Sequence, residues 1–429
     1  MLEEKEKIEY KKYYTTLFSI NYLFQGFTNS MFTVIIPIYL LSLASQTGRK
    51  ITASEISFIA SVIMIGSAIK LLYGILSDKF AVKKLGRRRP WILFPVMTSG
   101  LFWILLPVLV SLGNIIFVFM ICGLIINIGV MMADTALDGL ILDICPHERL
   151  GRVQGLVWGF RSVGLISGGP ILAFMVVFNI FTNIESTFYI LGIAMIISAI
   201  TILLIKEPLS IPKIYIIKNL KEMFKKKEDF KTYAFALLNA ISEGVILLFI
   251  SLFILIQLGI VKSDQMALSI AGRSSNQAFF YQSFISLLVS GGIVIGSIVM
   301  GWFVDVKSRK LGVYLGMIFL AISIFLLFLT ENIAGLFIIA FIIGTGIGFR
   351  HSSYSPIAAA MSREHPEFDS TYFAFCNSLS NLGNTIGLIL AAILLSVAGN
   401  FLIVFLIMAI AQLINLIPFS SIKSDYYEV

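Results

Sequence analysis

The segment GILSDKFAVKKLGRRRP at residues 74–90 decides the fold, because its beginning recurs as GWFVDVKSRK at residues 301–310. Both copies read Gly, three residues, Asp and then a basic cluster, and each follows an apolar segment. The glycine lets neighbouring helices approach closely. The aspartate can accept hydrogen bonds from basic groups or from a neighbouring helix N-terminus. The repeat predicts two homologous halves, each with a latch that holds one conformation and releases in another.

The chain around this repeat has the composition of a helical membrane protein. Of its 429 residues, 58% are hydrophobic and 13% are charged, whereas soluble domains carry about 25% charged residues. Its mean hydropathy is +0.93. A spanning helix needs roughly 20 mostly apolar residues, and twelve segments qualify, each expected to be a helix. Spans 1 to 12 are predicted at residues 17–44, 55–76, 91–111, 114–143, 152–178, 186–205, 233–259, 280–302, 311–329, 333–360, 369–397 and 400–419.

Basic residues predict the orientation of these spans. With the N-terminus inside, 25 of the 32 Lys and Arg residues fall in inner segments, 4 in outer loops and 3 within spans. Because Lys and Arg collect on the cytoplasmic side, both termini are expected in the cytoplasm. The protein is then a multi-pass protein of the cell's inner or plasma membrane. The predicted cytoplasmic end of each span is called its inner end.

The longest inner loop divides the chain in two. Residues 206–232 combine Pro breaks with an amphipathic basic piece. This pattern predicts a cytoplasmic linker with a surface helix, and a regulatory or partner site is the alternative. The predicted domains are therefore a six-span half at 1–205, the linker, and a six-span half at 233–429. The expected fold class is all-α, with twelve transmembrane helices in two pseudosymmetric halves.

The residue types that most enzymes and metal proteins require do not cluster in the sequence. The three Cys and three His show neither a disulfide framework nor the spacing of a metal site. The glycine-rich stretch at residues 344–348 reads as small residues within a span, because no strand precedes it. The net charge of +8 follows from the positive-inside pattern. We therefore expect a monomer in the lipid bilayer, with no catalytic residues, cofactor, metal or nucleic-acid partner.

The duplicated loop is similar to the signature of the major facilitator superfamily, Gly-x-x-x-Asp-x-x-Gly-Arg followed by Lys or Arg. The second copy keeps the usual spacing with Ser308 in place of Gly, and the first carries five extra residues between Asp78 and Gly86. The stretch GRRRPW at 86–91 resembles the sugar–cation symporters of the glycoside–pentoside–hexuronide group. Membership implies two six-helix halves that rock around a site near the membrane midplane.

A longer stretch between spans 4 and 5 resembles a second group. The segments DTALDGLILDICPHER at 134–149 and GFRSVGLISGG at 159–169 are similar to the muropeptide permeases and the related acetyl-coenzyme A transporters. Asp143, Glu148 and Arg149 match positions in these families, and they extend the expected latch to the inner end of span 4. The expected latch residues are Gly74, Asp78, Gly86, Arg87, Arg88, Arg89, Asp143, Glu148, Arg149, Gly301, Asp305 and Arg309.

Polar residues inside spans 1, 4, 7 and 10 recur at helical spacing, so that each set shares one helix face. They are Asn21, Gln25, Asn29, Thr33, Asn127, Asp134, Asp138, Asn239, Glu243, Arg350 and His351. In the superfamily these four helices line the central cavity. The resemblance therefore implies substrate contacts at Gln25, Asn29, Asn239, Arg350 and His351. Hydrogen bonding that only joins helices is the alternative.

Charged residues inside the bilayer are costly and are functional candidates by default. Asp134, Asp138 and Glu243 are the candidates for proton coupling, because a carboxylate can bind a proton on one side and release it on the other. Lys70 and Arg161 are expected to pair with Asp134 or Asp138, and structural pairing alone is the alternative. We expect these cations to hold Asp138 in its charged form and to leave Asp134 free to take up a proton.

These observations predict a secondary active transporter for a small polar or anionic organic solute. Proton coupling is favoured over uniport. A non-transporting protein of the same fold, which assembles membrane complexes or escorts pigments, is the alternative. Such a protein would need the helix bundle but no continuous polar cavity.

Overall fold

The computed structural model describes residues 10–82, 85–181, 183–207, 222–262, 267–268, 273–330, 332–365 and 369–428. Within these residues, 12 helical spans are long and apolar enough to cross a membrane, which confirms the predicted number. Spans 1 to 12 are Lys12–Thr47, Ala53–Ser77, Arg89–Leu112, Ile115–Ile144, Leu156–Val177, Glu185–Leu204, Lys227–Gln257, Asn276–Val306, Arg309–Phe328, Ile333–Arg363, Thr371–Ala398 and Phe401–Ser420. Most of the predicted linker, at 208–221, lies outside the described residues.

Several of these helical spans are interrupted rather than continuous α-helices. In span 1, a π-helix at Met31–Ile35 separates the α-helices Lys12–Ser30 and Ile36–Thr47, and in span 5 a π-helix at Ser167–Ile171 separates His147–Ile166 from Leu172–Val177. Span 2 is divided into the helices Ala53–Ala68 and Lys70–Lys79. Span 7 is divided into Lys227–Asn239 and Glu243–Gln257. Pro170 lies inside the π-helix of span 5, where it removes a backbone donor. Interruptions are tolerated where neighbouring helices satisfy the freed backbone groups.

The other elements are regular. The remaining α-helices of the described residues are Arg89–Leu112, Ile115–Ile144, Glu185–Thr201, Arg273–Val306, Arg309–Phe325, Ile333–Arg363, Asp369–Ala398, Phe401–Ile414 and Leu416–Ser420, with short 3-10 turns at Ile202–Leu204, Leu326–Phe328 and Ser424–Tyr426. Strands Val261–Lys262 and Ala267–Leu268 pair antiparallel between spans 7 and 8. Asparagine side chains cap the outer ends of three spans: Asn114 accepts from Ile116 N, Asn332 from Ala334 N and Asn400 from Leu402 N.

The chain forms two compact units. Unit 1 contains Met1–Phe32 and Ile65–Ile216, and unit 2 contains Thr33–Met64 and Ile217–Val429. The outer parts of spans 1 and 2 therefore pack with spans 7 to 12. Within unit 2, Ser54 Oγ donates to Ala392 O at 2.8 Å and Ser57 Oγ to Leu388 O at 2.7 Å. The domain boundaries predicted from the sequence repeat lie at 205 and 233. The two compact units differ from the predicted halves because residues Thr33–Met64, the outer parts of spans 1 and 2, belong to unit 2.

Helix pairing inside unit 1 recurs six spans later in unit 2. In unit 1, span 1 packs on span 5, span 2 on span 4, and span 3 on spans 4 and 6. In unit 2, span 7 packs on span 11, span 8 on span 10, and span 9 on spans 10 and 12. Each of these pairs has its counterpart six spans later. This correspondence agrees with the two pseudosymmetric halves that the duplicated loop predicts.

The inner ends of spans 7, 10, 11 and 12 surround an aromatic core in unit 2. Its buried members include Tyr233, Phe235, Tyr354, Tyr372 and Phe419. A buried polar group lies within it: Asp229 Oδ1 accepts from Tyr372 OH at 3.2 Å and lies 3.0 Å from His365 Nε2. Because a buried carboxylate is stable only with partners, these contacts fasten spans 7, 10 and 11 to one another.

Glycines make the closest approaches between helices. Gly164 of span 5 lies against the backbone of Leu23 in span 1. Gly292 of span 8 lies against Phe341 O of span 10, and Gly344 of span 10 lies against Val289 O of span 8. A methyl group at these positions would overlap main-chain atoms. The glycines at 344–348 therefore serve helix packing, as the sequence indicates.

Replacing Gly292 by Ala is expected to destabilise the packing of span 8 on span 10, whereas Gly291→Ala is not. A Cβ at Gly292 would lie 2.8 Å from Thr345 N and closer to Phe341 O, whereas one at Gly291 would meet nothing within 4 Å. Overpacking costs about 1–3 kcal/mol. The apparent melting temperature of the two purified variants in detergent measures the difference. Equal melting temperatures would show that this close approach is absent from the folded protein.

Candidate functional site

Two cations and two carboxylates meet inside unit 1. Lys70 Nζ lies 2.5 Å from Asp134 Oδ2 and 3.8 Å from Asp138 Oδ2. Arg161 Nη1 lies 3.4 Å from Asp134 Oδ1, and Tyr22 OH donates to Asp138 Oδ1. We call these five residues the N-half charge cluster. Because its two positive and two negative charges balance, the cluster can exist in a low-dielectric bundle.

The local structure of span 2 turns Lys70 toward span 4. The first helix of the span ends at Ala68 and the second begins at Lys70, with Ile69 between them at φ −91° and ψ 19°. One turn before Lys70, Gly66 lies against Asn127 of span 4. The small residue allows the two helices to approach, so that Lys70 faces protein rather than lipid. In the sequence, Gly66, Lys70 and Gly74 lie four residues apart on one face of the helix, and this glycine stripe of span 2 predicts the orientation.

The structure places the two cations closest to Asp134, whereas the sequence analysis expects them at Asp138. The Asp134 side chain is 2% exposed and contacts both cations, whereas that of Asp138 is 35% exposed and lies 3.8 Å from Lys70. The expectation that the cations hold Asp138 and leave Asp134 free is therefore corrected. The two residues share a helix face, but Asp134 lies one turn closer to the cations. Helical spacing alone does not reveal this difference.

Trp158 lies beside the N-half charge cluster and was not anticipated. The Arg161 guanidinium carbon lies 4.8 Å from the centroid of its ring, a cation–π distance. The ring of Tyr22 lies 6.2 Å away between centroids. Trp158 is 51% exposed. Its position three residues before Arg161, on the same helix face, is the sequence signal that could have identified it.

A second group of polar residues meets where span 7 is broken. The first helix of this span ends at Asn239, so its last carbonyl groups lack intrahelical partners. Arg350 Nη1 of span 10 donates to Asn239 O at 2.8 Å. Arg350 Nη2 contacts Glu243 Oε2, and His351 Nε2 lies 3.1 Å from Glu243 Oε1. Glu243 also lies in the first turn of the second helix, where a negative charge is favoured. These four residues are the C-half charge cluster.

The predicted substrate residues differ in accessibility. Gln25, Asn239 and Arg350 are 4%, 2% and 0% exposed. Asn29 is half-buried, and the side chain of His351 is 46% exposed. In this structure Arg350 contacts its neighbours on span 7. Substrate contact by the three buried residues stays a prediction and requires that the helices around them open.

The first latch joins the arginine run before span 3 to the inner end of span 4. Arg87 Nη2 contacts Asp143 Oδ2, and Arg88 Nε lies 3.3 Å from the same oxygen. Gly139 of span 4 leaves space for the Arg88 guanidinium group. The expected pairing of Asp143 with these arginines is therefore present. Three other expected latch residues have side chains outside the described part of the chain: Asp78, Glu148 and Arg149.

Glu207, just after span 6, completes this latch by capping span 3. Its Oε1 accepts from Arg88 N at 2.6 Å and its Oε2 from Arg89 N at 3.2 Å. Arg89 Nη1 donates to Ile205 O at 3.1 Å. Gly86 has φ 95°, a conformation that favours glycine, and lies against the carboxylate. The first N–H groups of a helix lack intrahelical acceptors, and Glu207 supplies them.

Glu428 caps the beginning of span 9 as Glu207 caps that of span 3. It accepts hydrogen bonds from Arg309 N at 3.1 Å, Lys310 N at 2.9 Å and Ser308 Oγ at 2.6 Å. Arg309 Nη1 donates to Tyr427 O at 2.9 Å. In both halves, therefore, an arginine at the start of the third span bonds a carbonyl close to a glutamate that follows the sixth span.

The latch differs from expectation in two respects. A Cβ at Gly74 would meet Thr135 Cγ2 at 3.5 Å and one at Gly301 would meet Ser352 Oγ at 3.9 Å. Both are ordinary van der Waals distances, so close helix approach does not require these two glycines here. Asp305 is exposed, and Glu428 binds the start of span 9 instead. An acidic residue shortly after each sixth span is the signal that could have revealed both caps.

The two caps are expected to respond to acid in opposite ways. Burial tends to raise the pKa of Glu428, but hydrogen bonds from Ser308, Lys310 and Arg309 outweigh it, and the pKa lies below the ordinary 4.5. Burial raises the pKa of Glu207 above 4.5, and the N–H donors offset only part of this. Stabilisation by Glu428 is therefore present above pH 4.5 and is lost as the pH falls through its lowered pKa. Protonation of Glu207 instead favours the folded state.

Comparison with Glu→Gln variants tests these signs. Glu428→Gln is expected to lower stability by about 0.5–2 kcal/mol at pH 7, the usual range for a lost helix cap, and this deficit disappears in acid. Relative to Glu207→Gln, the unmodified protein gains stability as the pH falls from 7 toward 4.5. Melting temperatures in detergent across this pH range measure both effects. A deficit of Glu428→Gln that grows in acid would contradict the prediction.

Twelve spans, similar contacts at the beginnings of spans 3 and 9, and charge clusters on spans 1, 2, 4, 5, 7 and 10 define a multi-pass membrane protein. The chain belongs to the Major Facilitator Superfamily, whose family profile matches residues 18–367. Among curated proteins, no sequence matches this chain. The finer resemblances to sugar–cation symporters, muropeptide permeases and acetyl-coenzyme A transporters stay predictions.

Two solved structures are similar in fold. The nucleoside transporter NupG, in a mutant form, has a TM-score of 0.70 at 13% identity, covering 95% of this chain and 99% of that chain. A D-xylose-proton symporter has a TM-score of 0.67 at 13% identity, covering 96% of this chain and 98% of that chain. At this level of identity the likeness concerns the fold.

Proposed function

We propose that this chain is a proton-coupled secondary transporter that moves a small polar organic solute by alternating access. Its superfamily supports transport, and a D-xylose-proton symporter shares its fold. The observation that carries the coupling proposal is the unequal partnering of two carboxylates in one buried cluster. Asp134 contacts two cations, whereas Asp138 is partly exposed and lies 3.8 Å from Lys70.

Asp138 is the proton-binding group in this proposal. A carboxylate that is 35% exposed can exchange a proton with water, whereas one that is 2% exposed and held by two cations cannot do so readily. Protonation of Asp138 leaves Lys70 paired with Asp134, so that no cation loses its closest partner. The cluster therefore tolerates both protonation states, which is what coupling requires.

Glu243 and His351 form the second candidate proton site. The His351 ring lies 3.1 Å from Glu243 Oε1 and is 46% exposed. A histidine imidazole can both accept and donate a proton. Arg350, which is fully buried, keeps Glu243 in place in either state. In the proposal, His351 takes the proton and Arg350 positions the carboxylate.

The inner-end latches are proposed to govern the conformational change. Asp143 and Glu207 hold the start of span 3, and Glu428 holds the start of span 9. These contacts fix the third span of each half to its neighbours. Their release on one side of the membrane would permit the rocking motion of alternating access. The charge clusters within the spans favour this function over membrane assembly or pigment escort.

The proposal can be tested in proteoliposomes. Sugars and nucleosides are first screened for compounds that raise the melting temperature of the purified protein, because a ligand of the folded state stabilises it. Uptake of a stabilising compound is then measured with and without an inward proton gradient. The unmodified protein is expected to accumulate the compound only with the gradient. Asp138→Asn is expected to lose accumulation but to retain exchange of labelled for unlabelled compound.

Asp425→Asn is the matched control, because this Asp is exposed and lies outside both charge clusters. It is expected to accumulate the compound as the unmodified protein does. Gradient-driven accumulation by Asp138→Asn would remove Asp138 from the coupling role. Unchanged uptake by the unmodified protein when the gradient is collapsed would contradict proton coupling itself.

A further inference from the structure

In the described part of the chain, three Lys or Arg side chains lie within spans away from the span ends, and each contacts a carboxylate. Lys70 and Arg161 lie 2.5 Å and 3.4 Å from the oxygens of Asp134. Arg350 contacts Glu243. Separating such a pair leaves an uncompensated buried charge, which is strongly unfavourable. An anionic solute would have to displace a protein carboxylate before it could bind any of these cations.

In the N-half charge cluster, the charged group with the greatest exposure is a carboxylate. The side chain of Asp138 is 35% exposed. Lys70 is 20% and Arg161 16% exposed. A solute that reaches this cluster therefore meets a carboxylate more readily than a cation. Because charges interact strongly where water is scarce, this order disfavours an anion while Asp138 is charged.

The aromatic side chain beside the N-half charge cluster suits a neutral molecule. The Trp158 ring is 51% exposed, and Arg161 and Tyr22 lie close to it. Binding sites for small molecules combine aromatic walls with a few polar groups that fix the orientation. Here the ring offers an apolar face, and the neighbouring Asp138 and its hydroxyl partner offer hydrogen bonds.

We infer that the transported solute is an uncharged organic molecule with several hydrogen-bonding groups, and that its carboxylated or phosphorylated derivatives are not carried. This inference rests on the proposed function and narrows the sequence-based prediction of a polar or anionic solute. It has an electrical consequence. An uncharged solute that enters with one proton carries one positive charge, whereas a monovalent anion that enters with one proton carries none.

Matched compounds of differing charge test the inference. One set is glucose, glucuronate and glucosamine; the other is uridine and uridine 5′-monophosphate. The melting temperature of the unmodified protein is measured against the concentration of each compound. The uncharged parent is expected to stabilise the protein, with each charged derivative binding at least about tenfold more weakly, a difference of roughly 1.4 kcal/mol. Stabilisation by glucuronate, glucosamine or the monophosphate equal to that by the parent would overturn the inference.

Transport current provides the second measurement. Proteoliposomes adsorbed on a solid-supported membrane are exposed to the stabilising compound, and an inward positive current is expected. Uptake of a labelled compound without current would contradict an uncharged, proton-coupled solute. Transport of a charged derivative would overturn this inference and leave proton-coupled transport standing. If the rate and extent of uptake of the uncharged compound do not depend on a pH gradient, proton coupling is contradicted and the inference about solute charge still stands.

Discussion

Substituting Asn for Asp134 is expected to destabilise the folded protein by about 3–5 kcal/mol, the usual cost of breaking a buried ion pair. The substitution removes the charge that lies 2.5 Å from Lys70 and 3.4 Å from Arg161. Asp138, at 3.8 Å from Lys70, cannot balance both cations. The apparent melting temperature and the yield of monodisperse protein in detergent measure the loss.

Asp138→Asn is the matched control for this variant. It makes the same chemical change one turn away, at a side chain that is 35% exposed, and it leaves Asp134 in contact with both cations. We expect its melting temperature to fall much less than that of Asp134→Asn. The opposite order would show that Asp138 is the carboxylate that the cations hold, as the sequence alone predicts.

Replacing Glu243 by Gln is expected to destabilise unit 2 by a similar amount, about 3–5 kcal/mol. Arg350 is fully buried, and the substitution would leave its charge without a carboxylate. The hydrogen bond from Arg350 to Asn239 O, at 2.8 Å, cannot neutralise that charge. Because the same arginine satisfies the carbonyl at the break of span 7, its displacement would also weaken that span.

A double variant isolates the pair. Combining Glu243→Gln with Arg350→Gln removes both charges, so the double variant should recover much of the stability that the single variant loses. Glu364→Gln, at an exposed position close to the inner end of span 10, should leave the melting temperature unchanged. A double variant as unstable as Glu243→Gln alone would show that the ion pair is not the source of the loss.

The spans and the repeat could be predicted because their signals are local. Hydrophobic runs give twelve spans, and the superfamily loop is visible in residues 74–90 and 301–310. The glycine stripe of span 2 likewise predicts that Lys70 faces protein. Each inference depends on residues within a few helical turns, where spacing and position in space are closely related.

The partners of the charged residues could not be predicted in the same way. Span 7 breaks at residues 240–242, which are Ala, Ile and Ser, with neither Gly nor Pro among them. The interaction that stabilises the break comes from Arg350, 111 residues away in sequence. The difference between Asp134 and Asp138 also depends on side chains from spans 2 and 5. Such contacts depend on how the helices pack against one another. The spacing of residues within one helix carries no information about that packing.

The two glutamate caps have a consequence for the order in which the protein can be completed. Glu207 follows Arg89 by 118 residues, and Glu428 follows Arg309 by 119. A nascent chain can insert the first five spans of either half while the beginning of the third span still lacks its acceptor. The cap of span 3 can therefore form only after residue 207 has been synthesised, and that of span 9 only after residue 428.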